Sequence, residues 1–356
     1  MTLWGGAVIS GLVAWWLTGQ LAGARFASSV LDHPNERSLH DRPTPRTGGV
    51  AILAGLLSGL AWTGWSGFSL NGVSEDALLG WPVAVWVVLL TYGIGLVSFW
   101  DDRGGVPVSV RFGIHLLAAS MLVVGGRLWI PALSFPVLGS VDLGWLALPV
   151  SIGLLVWMTN LYNFMDGMDG FAGGMTVIGG SFLAWFGWSA GFGFIFVTAL
   201  CAAAAAVGFL LHNFPPARIF MGDVGSASLG FLFGALTLLG VHDQVFDLWV
   251  PMMLFSPFIV DATVTLVRRA VRGERIWEAH RTHYYQRLVL LGWGHRRTVL
   301  TEYGVMVLCG LLAYGYQLAD GWLRWVVLGS WGTLMGLAML GVYHAEQRVL
   351  SVRSQG

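Results

Sequence analysis

Eleven runs of roughly 20 apolar residues succeed one another along this chain, and no other feature restricts its fold as strongly, because a helix needs about that many to cross the hydrocarbon core of a bilayer. The runs are Leu3–Gly23, Gly49–Gly67, Ala77–Trp100, Phe112–Gly126, Leu143–Leu161, Phe171–Ser189, Gly191–Leu211, Ser226–Val241, Leu248–Val267, Val299–Tyr316 and Trp322–Tyr343. The fourth and eighth are short. Hydrophobic residues make up 56% of the chain and charged residues 11%, with a mean hydropathy of +0.69. A soluble domain has no use for such a composition. The expected fold is an all-α polytopic membrane protein of about eleven transmembrane helices, one domain over residues 1–356. No soluble domain or internal repeat interrupts the series. The first run has no basic residue before it and no clear cleavage site after it, so it reads as a retained span rather than a signal peptide. Cys201 and Cys309 lie far apart in apolar runs and suggest neither a disulfide framework nor a metal cluster.

Arginine sets the expected orientation. The chain has no lysine, and 17 of its 19 arginines fall in the odd-numbered connections and the C-terminal tail. Only Arg127 and Arg324 fall on the other side. The positive-inside rule then places the N-terminus in the periplasm and the C-terminus in the cytoplasm. The polar segments DHPNERSLHDRPTPRTGG, FWDDRGG, NLYNFMDGMDG, HNFPPARIFMGD and RRAVRGERIWEAHRTHYYQRL all share the cytoplasmic face.

In NLYNFMDGMDG, Asn160, Asn163, Asp166 and Asp169 recur every three residues. That spacing puts them on one face of a helix or its terminal turn. Such groups are costly beside lipid unless something binds them. Gly167 and Gly170 let a ligand approach the backbone closely. The segment reads as the floor of a site for a metal and a nucleotide. Asp101 and Asp102 end the third run, either as a solvated helix end or as a pair facing a cation or a phosphate. Asp223 is bracketed by Gly222 and Gly225, and Ser226 could cap the eighth helix. A helix start offers free N–H groups to phosphate oxygens. His280, Arg281, His283 and Arg287 in one loop, and Arg37, His40, Arg42 and Arg46 in another, suit phosphate, although cytoplasmic loops are basic in any case. Asp261 lies inside the ninth run and receives no role. Hard oxygen ligands without a cysteine or multi-histidine cage favour Mg²⁺ or Mn²⁺ over zinc. Carboxylates for a metal, cations for phosphates and a location at the lipid surface point to phosphoryl-group chemistry on a lipid substrate. A lipid or ion transporter with intramembrane acids is the alternative from another class, and it sits poorly with acids gathered at one face.

Five segments in order, DHPNERSLHDRPTPRTGGVAI, the pair Asp101–Asp102, NLYNFMDGMDG, FPPARIFMGDVGS and HRTHYYQRL, resemble the polyprenyl-phosphate N-acetylhexosamine-1-phosphate transferases, glycosyltransferase family 4, over nearly the whole chain. The resemblance implies a multi-pass enzyme of the bacterial inner membrane. Undecaprenyl phosphate would attack the β-phosphorus of a UDP-N-acetylhexosamine, releasing UMP and leaving a lipid-diphosphate sugar. This is the first membrane step of O-antigen or other envelope polysaccharide synthesis. It further implies Asp223 as the principal Mg²⁺ ligand with Asn163 as a second, and Asp101 and Asp102 orienting or deprotonating the lipid phosphate. Asp166, Asp169, Phe220 and Asn160 would lie on the nucleotide side, with Arg46 near a phosphate. His280, Arg281 and His283 would hold the diphosphate. Family members are often homodimers; no nucleic-acid partner is expected. The branch that uses UDP-MurNAc-pentapeptide carries three consecutive histidines where this chain has HRTH. That departure favours the O-antigen initiating branch, with UDP-GlcNAc, UDP-GalNAc, UDP-QuiNAc and UDP-FucNAc as open donors.

Overall fold

The computed structural model describes residues 2–23, 30–34, 39–67, 82–275 and 280–353. Arg25, Arg37 and most of the Ser66–Asp76 connector lie outside the described residues. All eleven apolar runs are helical where described: α1 (Thr2–Leu21), α2 (Gly48–Trp65), α3 (Val83–Gly104), α4 (Val108–Ser120), α5 (Ala147–Met165), α6 (Phe171–Ser189), α7 (Gly193–Asn213), α8 (Gly222–His242), α9 (Trp249–Leu254), α10 (Ser256–Val271), α12 (Gly294–Leu318) and α13 (Leu323–Arg353). The short α11 (Tyr284–Leu288) carries the end of the HRTHYYQRL segment. Eight helical stretches among the described residues are long and apolar enough to cross a membrane.

Three boundaries differ from expectation, each for a local reason. The ninth run breaks into α9 and α10 at Phe255, and Pro257 lies in the first turn of α10. Proline lacks an N–H and its fixed φ suits a helix start, so a new helix begins there. Helix α3 runs on through Asp101 and Asp102 to Gly104. Helix α8 begins at Gly222, four residues before Ser226; Ser226 therefore does not cap it, and its hydroxyl donates back to the Gly222 carbonyl at 3.1 Å.

Helix α8 is the axis of the bundle. Every residue from Val224 to Val241 is buried, and α2, α3 and α5 pack against it. Helices α1, α2 and α7 form a second packed group, joined through α7 to α6. Helix α13 is peripheral, with Trp325, Leu337 and Leu340 exposed. Exposed apolar side chains are expected where lipid is the solvent. Close approach at α8 depends on small residues: a side chain at Gly49 would run into the backbone of Gly225.

The loop before α2 is tied to the start of α8. Strands β1 (Leu31–Asp32) and β2 (Thr44–Pro45) pair antiparallel. Pro45 accepts from the Phe220 N–H at 2.7 Å, and the N–H groups of Gly48 and Gly49 donate to Phe220 and Met221 at 2.9 and 2.7 Å. A second hairpin, β3 (Ala132–Phe135) with β4 (Gly139–Asp142), lies between α4 and α5.

Candidate active site

The first turn of α8 is closed by a carboxylate from another helix. The two oxygens of Asp102 accept the N–H groups of Asp223 (3.3 Å) and Val224 (3.2 Å). These donors are among the N–H groups that every helix start leaves without intrahelical partners. Here Asp102 takes them, so they are not the open phosphate cradle suggested by the sequence. Gly222 makes this approach possible. Its φ is +70°, and a side chain there would collide with the Arg46 carbonyl and the Asp102 carboxylate. Arg46 donates to the Asp102 carbonyl at 2.6 Å, with its Nε 3.5 Å from Asp102 Oδ1.

Arg111, on α4, joins the remaining acids. Its Nη1 lies 2.8 Å from Asp101 Oδ2 and 3.0 Å from Asp223 Oδ2. The other oxygen of Asp101 accepts the Val106 N–H at 2.5 Å. Asn163 donates to Asp223 Oδ1 at 2.8 Å and to the Ser226 hydroxyl at 3.0 Å. Asp169 is fixed by the Ala217 N–H (3.0 Å) and by His295 Nδ1 (3.2 Å), while His295 Nε2 faces the Leu39 carbonyl. Asn213 holds the loop on both sides, accepting from Gly170 and donating to Ile219.

These groups surround a polar pocket of about 320 Å³ lined by Arg46, Asp102, Asn163, Asp166, Asp169, Phe220 and Asp223. His40 sits edge-on to Phe220, with ring centroids 4.9 Å apart. Burial, together with nearby Asp223 and Asp102, pushes the Asp166 carboxyl well above the usual carboxylate range. An apolar groove of about 760 Å³ opens on the other side, walled by Phe112, Leu116, Ile152, Val156, Trp157 and Phe164. Arg111, His115 and Asn160 are polar groups in that groove. Asn163 and Asp223 line both cavities.

The expected residues therefore divide. Asp102, Asn163, Asp166, Asp169, Phe220, Asp223 and Arg46 meet in the polar pocket. Asp101 stands behind it, linked through Arg111. Asn160 lies in the apolar groove and not on the pocket floor. His280, Arg281 and His283 line neither cavity. His283 is buried, and its Nδ1 lies 3.1 Å from Asp261 Oδ1. Asp261 also accepts the N–H groups of Tyr284 and Tyr285, so it fastens the start of α11. Arg281 faces a small basic pocket with Arg268, Arg269 and Arg272. Burial, with His283 and Arg269 nearby, lowers His280 to about 4, which leaves it neutral at pH 7 and without the charge that would hold a phosphate.

Two residues of the site had no distinguishing signal. Arg111 was one of many cytoplasmic arginines. His295 sits in GWGHRR without a recognisable motif.

Among the described residues no three His, Cys, Asp or Glu side chains converge to hold a metal by themselves. The donor set is instead one carboxylate, Asp223, beside a carboxamide, Asn163, with Asp166 lining the same pocket. Mg²⁺ commonly takes one or two protein carboxylates and completes its shell with water and substrate phosphates. The residues fit a cation of that kind, provided the Asn163 amide rotates to present its oxygen.

A family model described as glycosyl transferase family 4 matches residues 84–241. A probable undecaprenyl-phosphate N-acetylglucosaminyl 1-phosphate transferase of Bacillus subtilis is 33% identical, over 84% of this chain and 80% of its own. A decaprenyl-phosphate N-acetylglucosaminephosphotransferase of Mycobacterium tuberculosis is 30% identical over 85% and 79%. A phospho-N-acetylmuramoyl-pentapeptide-transferase of Halalkalibacterium halodurans is 27% identical over 81% and 88%. The matches to these relatives cover 81–85% of this chain and so are longer than the 84–241 stretch. The chain belongs to glycosyl transferase family 4, the polyprenyl-phosphate N-acetylhexosamine-1-phosphate transferases.

Proposed function

We propose that this membrane protein transfers an N-acetylhexosamine 1-phosphate from a UDP-sugar to undecaprenyl phosphate, releasing UMP. One observation carries the reading: a polar pocket and an apolar groove share Asn163 and Asp223 as a common wall. A sugar nucleotide and a polyprenyl chain need those opposite surroundings, and their phosphates must meet where the two join.

In this reading the nucleotide lies against Asp166, Asp169 and Phe220, and the lipid phosphate comes up the groove toward Arg111. Asp223 and Asn163 hold Mg²⁺ or Mn²⁺. When bound, the cation neutralises charge on the diphosphate and the departing UMP. Arg46 and Arg111 keep Asp102 and Asp101 in place and add positive charge beside the reacting phosphates. Positioning of this kind accounts for most of the catalysis available to phosphoryl transfer. His283 contributes by fixing α11 on Asp261. Contact of His280 or Arg281 with the donor diphosphate requires their loop to swing over the pocket.

The names of the Bacillus and Mycobacterium relatives support N-acetylglucosamine as the transferred sugar, and HRTH in place of three histidines opposes UDP-MurNAc-pentapeptide. The arginine distribution supports a pocket that faces the cytoplasm, and the bacterial relatives support a bacterial inner-membrane setting. Initiation of O-antigen or another envelope polysaccharide is the step this product would serve. The test is a transfer assay with purified protein, Mg²⁺ and undecaprenyl phosphate, offering UDP-GlcNAc, UDP-GalNAc, UDP-QuiNAc, UDP-FucNAc and UDP-MurNAc-pentapeptide in parallel. UMP with one lipid-linked N-acetylhexosamine sustains the reading and identifies the donor. Folded protein that releases no UMP from any of them overturns it.

A further inference from the structure

His115 is a buried histidine on α4, one helical turn beyond Arg111, in a groove walled mostly by apolar side chains. Residues four apart lie on one helix face, so Arg111 and His115 form a short polar ladder leading from the acids into the groove. Asn160 and Asn163 make a matching ladder on α5.

The hydrogen bonds settle which nitrogen of His115 carries the proton. The Asn160 Nδ2 donates to the Val156 carbonyl at 2.7 Å. With the amide reversed, two carbonyl oxygens would face each other at that distance, so the orientation is fixed. Asn160 therefore turns its Oδ1, an acceptor only, toward His115 Nδ1 at 3.3 Å. In the neutral ring Nδ1 must be the donor, and Nε2 keeps its lone pair. Nε2 has no hydrogen-bond partner among the described residues, and the ring lines the groove.

A lone pair in an apolar channel calls for a donor. The lipid reading supplies one: the remaining O–H of a phosphate monoester, whose second pKa is about 6 in water. A low-dielectric groove disfavours the dianion, so in this groove the proton needs an acceptor even near neutral pH. The adjacent carboxylates are already engaged by other donors. Both oxygens of Asp102 are taken by backbone N–H groups, and those of Asp101 by Val106 and Arg111.

We infer that His115 is the proton acceptor for the polyprenyl phosphate. This rests on the transfer reaction proposed above. The phosphate O–H bond breaks, its electron pair stays on the oxygen that attacks the donor phosphorus, and an N–H bond forms at Nε2. The imidazolium then faces the new dianion, and its proton passes to water after the product leaves. The charged groups around the ring are Arg111 on its own helix, Asp101 on α3 and Asp223 on α8, while α5 contributes only neutral Asn160 and Asn163.

The experiment is the pH profile of kcat/KM for undecaprenyl phosphate in the wild type, His115→Gln and Asn160→Leu, with folding followed by thermal unfolding in detergent. His115→Gln should lower turnover about 10²-fold near pH 6.5, the size typical of a lost general base. The deficit should shrink as pH rises towards about 9, where the phosphate has lost its proton unaided. The KM for the UDP-sugar should not move. Asn160→Leu, which releases the tautomer, should show a smaller loss of the same pH dependence. A deficit equal at all pH values, or none, overturns the role of His115 while the wild-type reaction stands. Wild type that releases no UMP overturns the underlying reading, and this inference with it.

Discussion

Asp102 and Asp261 do the same thing to the backbone in two parts of the molecule. Asp102 accepts the N–H groups of Asp223 and Val224 at the start of α8. Asp261 accepts those of Tyr284 and Tyr285 at the start of α11. Each carboxylate closes a helix to which it does not belong, work more often done by the residue just before the helix. Their surroundings differ. Asp261 completes its partners with His283 and the Thr265 hydroxyl, in a buried setting. Asp102 stands at the edge of an open pocket, with Asp166 and Asp223 near and only Arg46 paired to it. One carboxylate is satisfied by the protein, and the other helps make a region of negative charge that Arg46, Arg111 and His295 compensate only in part. A carboxylate on a helix start is therefore scaffold or site according to the cavity beside it.

Substitutions can break or sharpen that contrast. The largest effect is expected at Asp223→Asn, which removes the charge needed for the cation while keeping the shape. Turnover should fall by at least about 10³-fold, the scale of losing a preorganised charge partner, with little change in thermal unfolding. Near-normal turnover would place the cation elsewhere.

Asp102→Ala should come next and should affect both properties. It strands two N–H groups, costing roughly 1–3 kcal/mol for each buried group left unpaired, leaves Arg46 only its bond to the backbone carbonyl, and disturbs the first turn of α8 that carries Asp223. Loss of activity without loss of stability would mean that Asp102 contacts substrate directly.

Asp261→Ala should separate the two regions. It frees His283 and two backbone donors, so a stability loss of roughly 2–4 kcal/mol is expected, read as a lowered midpoint of thermal unfolding. The KM for the donor should stay near the wild-type value. A changed KM at full stability would show that the α11 region belongs to the site after all. His283→Ala should repeat this pattern more weakly, because Asp261 keeps its backbone partners. Its turnover should fall less than about tenfold if the histidine only positions the loop.

The smallest effect concerns pH. Burial, His283 and Arg269 lower the folded-state pKa of His280 to about 4 from an ordinary value near 6.5. Between those values the unfolded chain binds a proton that the folded chain does not. This group therefore destabilises the fold as pH falls from 6.5 towards 4, and its effect is absent above 6.5. His280→Gln should flatten the acid side of a plot of unfolding midpoint against pH. An unchanged slope would mean the ring is open to water.

Much of the site was legible in the sequence because its residues carry local signals. Asp166 and Asp169 repeat at helical spacing with glycines after them, Asp223 stands between glycines, and Asp101–Asp102 end an apolar run. All except Asp101 line the pocket. Asn160 shared the spacing but faces the groove, because α5 ends at Met165 and residues 166–170 leave the helical path. Arg111 was hidden by the rule that makes every cytoplasmic arginine look alike. The HRTH segment read as an exposed phosphate clamp, yet His283 turned inward to Asp261, 22 residues earlier on another helix. No spacing within the segment records that partner.

The sequence by itself determined the class of protein, the succession of helical segments and the polar stretches that form the site. Each of these is a local consequence of the bilayer: every segment must satisfy its own backbone and present apolar side chains, whatever its neighbours do. Only the tertiary structure decided which acids share a cavity, which one merely closes a helix, and that a polar pocket and an apolar groove meet at Asp223. Those outcomes depend on how closely helices approach, as at Gly49 with Gly225 and at Gly222 beneath Asp102, and approach is a property of pairs of segments that no single segment encodes.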